Sequence, residues 1–274
     1  MNKQSFKGKG LSVALFALPL YANAVPVDLS GWTAEGGSSN WVVQPGNDSV
    51  LQTVNGNPTV FYNPAVTSTQ GTALNGKITV TTSSDDDFIG FVLGYNPGEI
   101  TSATADFFLV DWKQGTQPYG AWGTGKEGLA ISRVTNAEDG YAFWGHGSQI
   151  TGSSVVDEIQ RGATLGSTGW NDFQEYSFNI LFTSSLIEVE VNGLLELSIT
   201  PSDAGLTSFE DGGFGFYNFS QSDVLYSAIR QVDCAVTPAD PACAGGGGRV
   251  PEPSVFLLML AGLPGIFYVH RKRQ

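Results

Sequence analysis

"LIEVEVNGLLELSI" (residues 186–199) alternates apolar and polar side chains around an Asn-Gly pair. Alternation of period two marks half-buried strands, and Asn-Gly between them is a strong short-range hairpin signal. A two-residue loop would set Val189 opposite Glu196 and mix apolar with charged faces. A three-residue loop over 191–193 instead pairs Val189 with Leu195 and Ile187 with Leu197, leaving Gly193 at a left-handed position. That register is the expectation. It turns Glu188 and Glu190 toward the other, wetter face.

The same grammar recurs over about 210 residues from Val25 to Asp233, a length that one β-sandwich can occupy. Apolar, β-branched and aromatic runs lie between Gly, Asn, Ser and Asp clusters: "TVFY" (59–62), "KITVTT" (77–82), "DFFLVDWK" (106–113), "GLAISRV" (128–134), "YSFNILF" (176–182), "GFGFYNF" (213–219) and "VLYSAIRQV" (224–232). No part of this body keeps a 3.6-residue apolar period, so the protein is read as all-β. "FIGFVLGY" (88–95) is apolar on both faces. It reads as a central strand covered on both sides, with Gly90 and Gly94 allowing close approach.

Directly before that strand stand Asp85, Asp86 and Asp87. Adjacent carboxylates repel, and either water or a divalent cation relieves the repulsion. Calcium takes six to eight oxygen ligands, which such a loop with its carbonyls could supply. The run is not an EF-hand, because the spaced Asp-x-Asp-x-Asp-Gly pattern is missing. "NAEDGYAF" (136–143), with Glu138 and Asp139, reads as a plain acidic surface turn.

Composition narrows the chemistry. Of 13 Lys and Arg, three (Lys3, Lys7, Lys9) open the chain and three (Arg271, Lys272, Arg273) close it. The seven left face 26 Asp and Glu, a net charge of about −19. Phosphate backbones are repelled by such a surface, so nucleic acid is excluded as a partner and cations are favoured. The body holds one histidine, His146, read as a loop residue, and the two cysteines are Cys234 and Cys243. Zinc sites and nucleophilic triads lack their ligands and bases. No phosphate-binding glycine loop occurs in a strand-to-helix context. Paired carboxylates such as Glu188 and Glu190 keep a glycan-cleaving enzyme as an alternative, although the Glu-x-Asp-x-x-Glu pattern of sandwich-fold glycanases is absent.

The ends carry addresses. A basic start, the apolar "LSVALFALPL" (11–20) and "ANA" ending at Ala24 form a secretory signal over 1–24. In the oxidising compartment beyond, Cys234 and Cys243 are expected to pair within a Gly/Pro/Ala-rich linker, 234–249. Residues 250–274 follow: Val-Pro-Glu-Pro with Pro251, Glu252 and Pro253, a short apolar segment from Val255 to Val269, then Arg-Lys-Arg. Fifteen residues fall short of the ~20 of a relaxed transmembrane helix. This three-part order resembles a PEP-CTERM sorting signal. The resemblance implies an exosortase-type processing enzyme as a partner, transient anchoring through one short C-terminal hydrophobic helix, and a final place at the surface or in the matrix of a Gram-negative bacterium.

From Asn40 to Cys234 the order of motifs resembles the C-terminal domain of thrombospondins. The matching stretches are "NWVVQPGNDSVLQTVNGNPTVFYNP" (40–64), "DDDFIGFVLGYNP" (85–97), "FFLVDWKQGTQPYGAW" (107–122), "YAFWGHGS" (141–148), "GWNDFQEYSF" (169–178) and "GGFGFYNFSQSDVLYSAIRQVDC" (212–234). The resemblance implies a concanavalin-like, legume-lectin-type antiparallel β-sandwich (a jelly roll) over 25–233. It also implies calcium binding and a role in adhesion or matrix contact. Asp85, Asp86 and Asp87 are the first candidate calcium ligands, with Asp111, Asp172 and Asp211 from other matched stretches. Trp112, Trp122, Trp144 and Trp170 are candidates for stacking on sugars, against the ordinary role of tryptophan in a sandwich core. The family's Asp-rich repeats and its cysteine upstream of the sandwich are absent. The expected partner is an extracellular polysaccharide or a matrix or surface protein; a purely structural matrix role is the other alternative.

Overall fold

The computed structural model describes residues 25–140, 142–147 and 155–245. The expected signal peptide with Ala24, and the expected sorting segment with Pro251, Glu252 and Pro253, lie outside the described residues. Within them, two antiparallel sheets face each other. One runs in the order Leu194–Ile199, Ile187–Val191, Glu175–Phe182, Thr72–Val80, Val224–Asp233, Val50–Gln52 and Trp41–Val43, with Val25–Pro26 added along Val224–Asp233. The other runs Val155–Arg161, Gly128–Asn136, Phe107–Lys113, Phe88–Tyr95, Gly213–Phe219, Thr59–Tyr62 and Thr33–Gly36. The all-β sandwich expected from the alternating runs is the fold of the chain.

Alternation along each strand sends every second side chain into the space between the sheets. There Phe91, Val110 and Ile131 of the second sheet meet Phe178, Val189 and Tyr226 of the first. The Phe91 and Phe178 rings lie 4.5 Å apart. The Tyr226 hydroxyl crosses the gap, donating to the Tyr217 carbonyl at 2.6 Å and accepting from the Gly90 amide at 3.2 Å.

The outer face of the second sheet is dry as well. Phe88, Val92, Phe107 and Tyr217 pack beneath Ile100, Phe143 and Trp144, which come from the connecting segments laid over that face. Phe88–Tyr95 is the fourth of seven strands and every residue of it is buried. An apolar pattern on both faces is therefore what this position demands. Gly90 has no room for a side chain, because an added Cβ would meet the Val110 carbonyl oxygen at 2.0 Å.

The hairpin differs from its sequence reading. Val191 pairs with Leu194 across a two-residue turn, with Asn192 and Gly193 at φ of 51° and 76°. Positive φ at both central residues is the geometry whose twist matches that of the flanking strands. The clash of faces that argued against this loop is removed by a β-bulge, since Glu190 pairs with Leu195 and Val189 with Leu197. Glu196 is the extra residue. Its carboxylate accepts from the Thr164 amide (2.8 Å), the Leu165 amide (3.0 Å) and the Thr164 hydroxyl. Glu188 and Glu190 are also not on a wet face, being 9% and 3% exposed.

The two cysteines form a disulfide. Residues 234–245 do not hang free as a linker would: Ala242 packs with Ala73, Leu181 and Val232, and the Asn179 side chain donates to the Ala242 carbonyl at 3.1 Å. Among the described residues no helix is long and apolar enough to cross a membrane.

Candidate functional site

The loop that enters the central strand holds a charge cluster. Asp85, Asp86 and Asp87 each place a carboxylate oxygen within 4.8 Å of the others. Part of the compensation comes from a residue that sequence reading passed over. Lys113 ends the neighbouring strand, opposite Phe88. Its ammonium is fully buried, 2.5 Å from Asp87 Oδ1 and 3.1 Å from Asp86 Oδ1. It also donates to the Asp86 carbonyl at 3.0 Å and lies 5.4 Å from the Phe88 ring centre and 5.0 Å from that of Trp144.

Asp87 is held from every side. Its amide donates to Gln221 Oε1 at 3.1 Å and its carbonyl accepts from the Trp170 indole at 3.1 Å. Burial pushes its carboxyl up, to about 6, against the pull of Lys113 and with a small addition from Asp85. Asp85 and Asp86 are half-buried, and the Asn55 side-chain amide donates to Asp85 Oδ2. Three ionised carboxylates against one ammonium leave an excess of two negative charges, which one divalent cation would cancel. The donors are hard oxygens, as calcium and magnesium prefer. The residues therefore fit calcium approached from the solvent side, with Lys113 behind.

That solvent side is a cleft of ≈420 Å³. Asp85 and Asp87 line it with Asn55 and Asn57; Tyr119 and Trp122 are its accessible aromatics, whereas Trp144, a stacking candidate, and Phe219 border it almost fully buried, at 4% and 3% exposed. The aromatic pair is carried on a small excursion from the sheet. Gln117–Pro118 pairs with Thr124–Gly125, and the turn between them presents Tyr119 and Trp122 with ring centres 5.4 Å apart. Tyr119 is 54% exposed. The Trp144 indole donates to the Gln117 carbonyl at 3.2 Å, which fixes the base of this excursion.

The other candidates scatter. Asp111 is buried further along the Phe107–Lys113 strand, 3.0 Å from His146 Nε2. His146, which follows the Ala142–Gly145 helical turn, is a buried ion-pair partner and not an open loop residue: Glu158 lies 3.7 Å from its Nδ1. Burial alone would depress this imidazole, but Asp111 and Glu158 outweigh it and lift its pKa to about 9. The His146 contact, with help from Arg161, takes Glu158 down to about 2. Asp172 accepts from Gln114 Nε2 at 3.0 Å beside the loop. Asp211 lies beyond Tyr95, at the far end of an eight-residue strand from Asp87, roughly 25 Å away. Trp112 and Trp170 are core residues, 4% and 1% exposed, while Trp122 is half-buried at the cleft. Neither Glu188 nor Glu190 lines the cleft. Tyr119, Asn55 and Asn57 lay inside quoted stretches but carried no charge or motif to mark them.

One cleft of this two-sheet sandwich thus gathers an acidic loop and aromatic side chains. The chain matches the family model "Thrombospondin C-terminal region" over residues 37–235, and it belongs to that family. It is 24% identical over 199 residues to thrombospondin-3b of Danio rerio, covering 69% of this chain and 20% of that protein. It is 28% identical over 223 residues to thrombospondin-1 of Xenopus laevis, covering 75% of this chain and 17% of that protein. The chain thus spans about a fifth of the length of the relatives it matches. Among solved structures, the carbohydrate binding module CBM66 from Bacillus subtilis superposes with a TM-score of 0.50 at 10% identity, over 78% of this chain and 99% of that one, a likeness of fold.

Proposed function

We propose that this domain is a calcium-supported glycan-binding module that works outside the cytoplasm and performs no catalysis. The observation that carries the reading is the cleft lined by Asp85 and Asp87 of the acidic loop and by the exposed Tyr119 and half-buried Trp122. Aromatic faces stack on the apolar side of a sugar ring, while Asn and Asp side chains take its hydroxyls. Asp85, Asp86 and Asp87 would hold the ion, and its part would be to draw the loop together and fix the wall of the cleft. Asp87 would act from the buried side, since Lys113 already occupies one of its oxygens.

The secretory signal and PEP-CTERM-like tail read in the sequence support a bacterial surface or matrix setting, where exopolysaccharide is the abundant glycan. In this proposal the tail engages an exosortase-type enzyme and the membrane only in transit. The fold shared with a carbohydrate binding module supports the ligand class. The buried Glu188 and Glu190, away from the cleft, weigh against glycan cleavage.

The test is calorimetry of neutral, amine-bearing and acidic oligosaccharides against the chain with calcium and with chelator. Saturable binding that calcium tightens is expected, with Tyr119→Ala weakening it roughly 3- to 10-fold, the worth of one aromatic contact. Absence of saturable binding to every glycan in calcium would overturn the reading and leave a structural matrix role.

A further inference from the structure

His146 does not line the cleft, yet the segment that carries it reaches the cleft's aromatic surface. The imidazole spans two strands of the second sheet. Asp111 of Phe107–Lys113 lies 3.0 Å from its Nε2, and Glu158 of Val155–Arg161 lies 3.7 Å from its Nδ1, with Gly128–Asn136 running between those strands. Its backbone is left-handed, at φ 45°, a conformation that a residue other than glycine keeps only where its surroundings fix it. Two residues before it comes Trp144. The Trp144 indole donates to the Gln117 carbonyl at 3.2 Å, and its ring centre lies 5.3 Å from that of Tyr119. The same ring lies 5.0 Å from the Lys113 ammonium, and Lys113 follows Asp111 by two residues, on the same face of the strand. The turn is thus pinned to one strand twice, with the Phe88 ring 5.8 Å from the imidazole and 5.6 Å from the indole.

We infer, resting on the glycan-binding reading above, that His146 is a positioning residue for the cleft: held by Asp111 and Glu158, it sets the place of Trp144 and, through Trp144, the stance of Tyr119. Tyr119 rides on the pairing of Gln117–Pro118 with Thr124–Gly125, two residues on each side, and a ribbon that short does not hold its shape alone. The Trp144 contacts to the Gln117 carbonyl and the Tyr119 ring supply what the pairing lacks. A ring that stacks on a sugar has to be in place beforehand, because ordering it on binding weakens the affinity. Phe143, fully buried and stacked on Tyr217, anchors the start of the turn separately. Loss of the His146 contacts therefore loosens the end of the turn and leaves the sheet folded.

Hydrogen exchange read by mass spectrometry over residues 117–125, beside calorimetry in calcium with neutral, amine-bearing and acidic oligosaccharides, tests this. In His146→Gln the 117–125 amides should exchange roughly 10-fold faster than in the unaltered chain, while Phe88–Tyr95 and Gly213–Phe219 keep their protection. Asp111→Asn, which keeps the imidazole but neutralises one of its carboxylates, should quicken the same amides. The comparison variant is Arg133→Gln, which breaks the Arg133–Asp106 pair on the same sheet and should leave 117–125 unchanged. Whichever oligosaccharide binds the unaltered chain should bind His146→Gln roughly 3- to 10-fold more weakly. Adding His146→Gln to Tyr119→Ala should weaken binding no further, because one residue acts through the other. Exchange over 117–125 that does not quicken in His146→Gln, or that quickens equally in Arg133→Gln, overturns the assignment. An additive loss of affinity in the double variant overturns it as well. If no oligosaccharide binds the unaltered chain, it is the glycan-binding reading that fails, and the exchange of 117–125 still decides what His146 holds in place.

Discussion

Lys113 is the residue on which the site turns. It closes the run "DFFLVDWK", where sequence reading passed it over, and it is fully buried, with the Phe88–Tyr95 strand paired beside it and the Trp144 ring 5.0 Å from its ammonium. Nothing in the local pattern marks this, since the partners Asp86 and Asp87 stand 26 or 27 positions away. Removing one partner of a buried pair strands the other charge at a cost of ~3–5 kcal/mol. Lys113→Met is therefore expected to lower stability by about that amount in denaturant unfolding, far more than a surface Lys77→Met. His146 gives a second expectation. Its pKa is raised in the fold, so its stabilising share is complete below the unfolded value of 6.5 and is lost as pH rises through about 9. Glu158 has a lowered pKa, so its share is present above 4.5 and lost as pH falls through about 2. Stability should hence fall on the alkaline side between pH 6.5 and 9, read as a falling melting temperature. In His146→Gln that alkaline limb should flatten.

At the scale of elements, the strands with strong alternation or continuous apolar runs were legible almost to the residue. Thr59–Tyr62, Phe88–Tyr95 and Gly213–Phe219 match their quoted runs end to end. Val155–Arg161 was not, because "VVDEIQR" carries polar side chains at an edge and is a strand chiefly through its pairing with Gly128–Asn136. The 186–199 hairpin shows why register is harder than element type. Facing apolar side chains is the right criterion, but a bulge at Glu196 satisfies it as well as a longer loop does, and the bulge is stabilised by amides from a loop some 30 residues upstream. Two glycine substitutions separate the two uses of that residue. Gly193→Ala adds a side chain into open space and meets only the left-handed backbone cost, about 1 kcal/mol. Gly90→Ala drives a methyl into the backbone of the adjacent strand and should cost several times more, measured on the same unfolding curves.

For the whole molecule, the sandwich was readable from periodicity, and the acidic loop from three adjacent letters. The cleft was not, because it is assembled from five separated segments, around Asn55, Asp85, Tyr119, Trp144 and Phe219. Lys113 compensates only part of the loop's charge, and in the proposed function a divalent cation completes it. The direct test is a calcium titration of the purified chain by thermal melting and calorimetry, with Asp85→Asn/Asp86→Asn as the comparison. That variant spares Asp87, whose loss would strand Lys113. At calcium about 100-fold above the dissociation constant, linkage gives ~2.7 kcal/mol, a rise in Tm of about 5–10 °C for a domain of this size. That rise is expected in the unaltered chain, and its loss in the variant. A Tm that does not move with calcium in the unaltered chain, with no binding heat, would contradict it and leave Lys113 and water as the whole answer to the three aspartates.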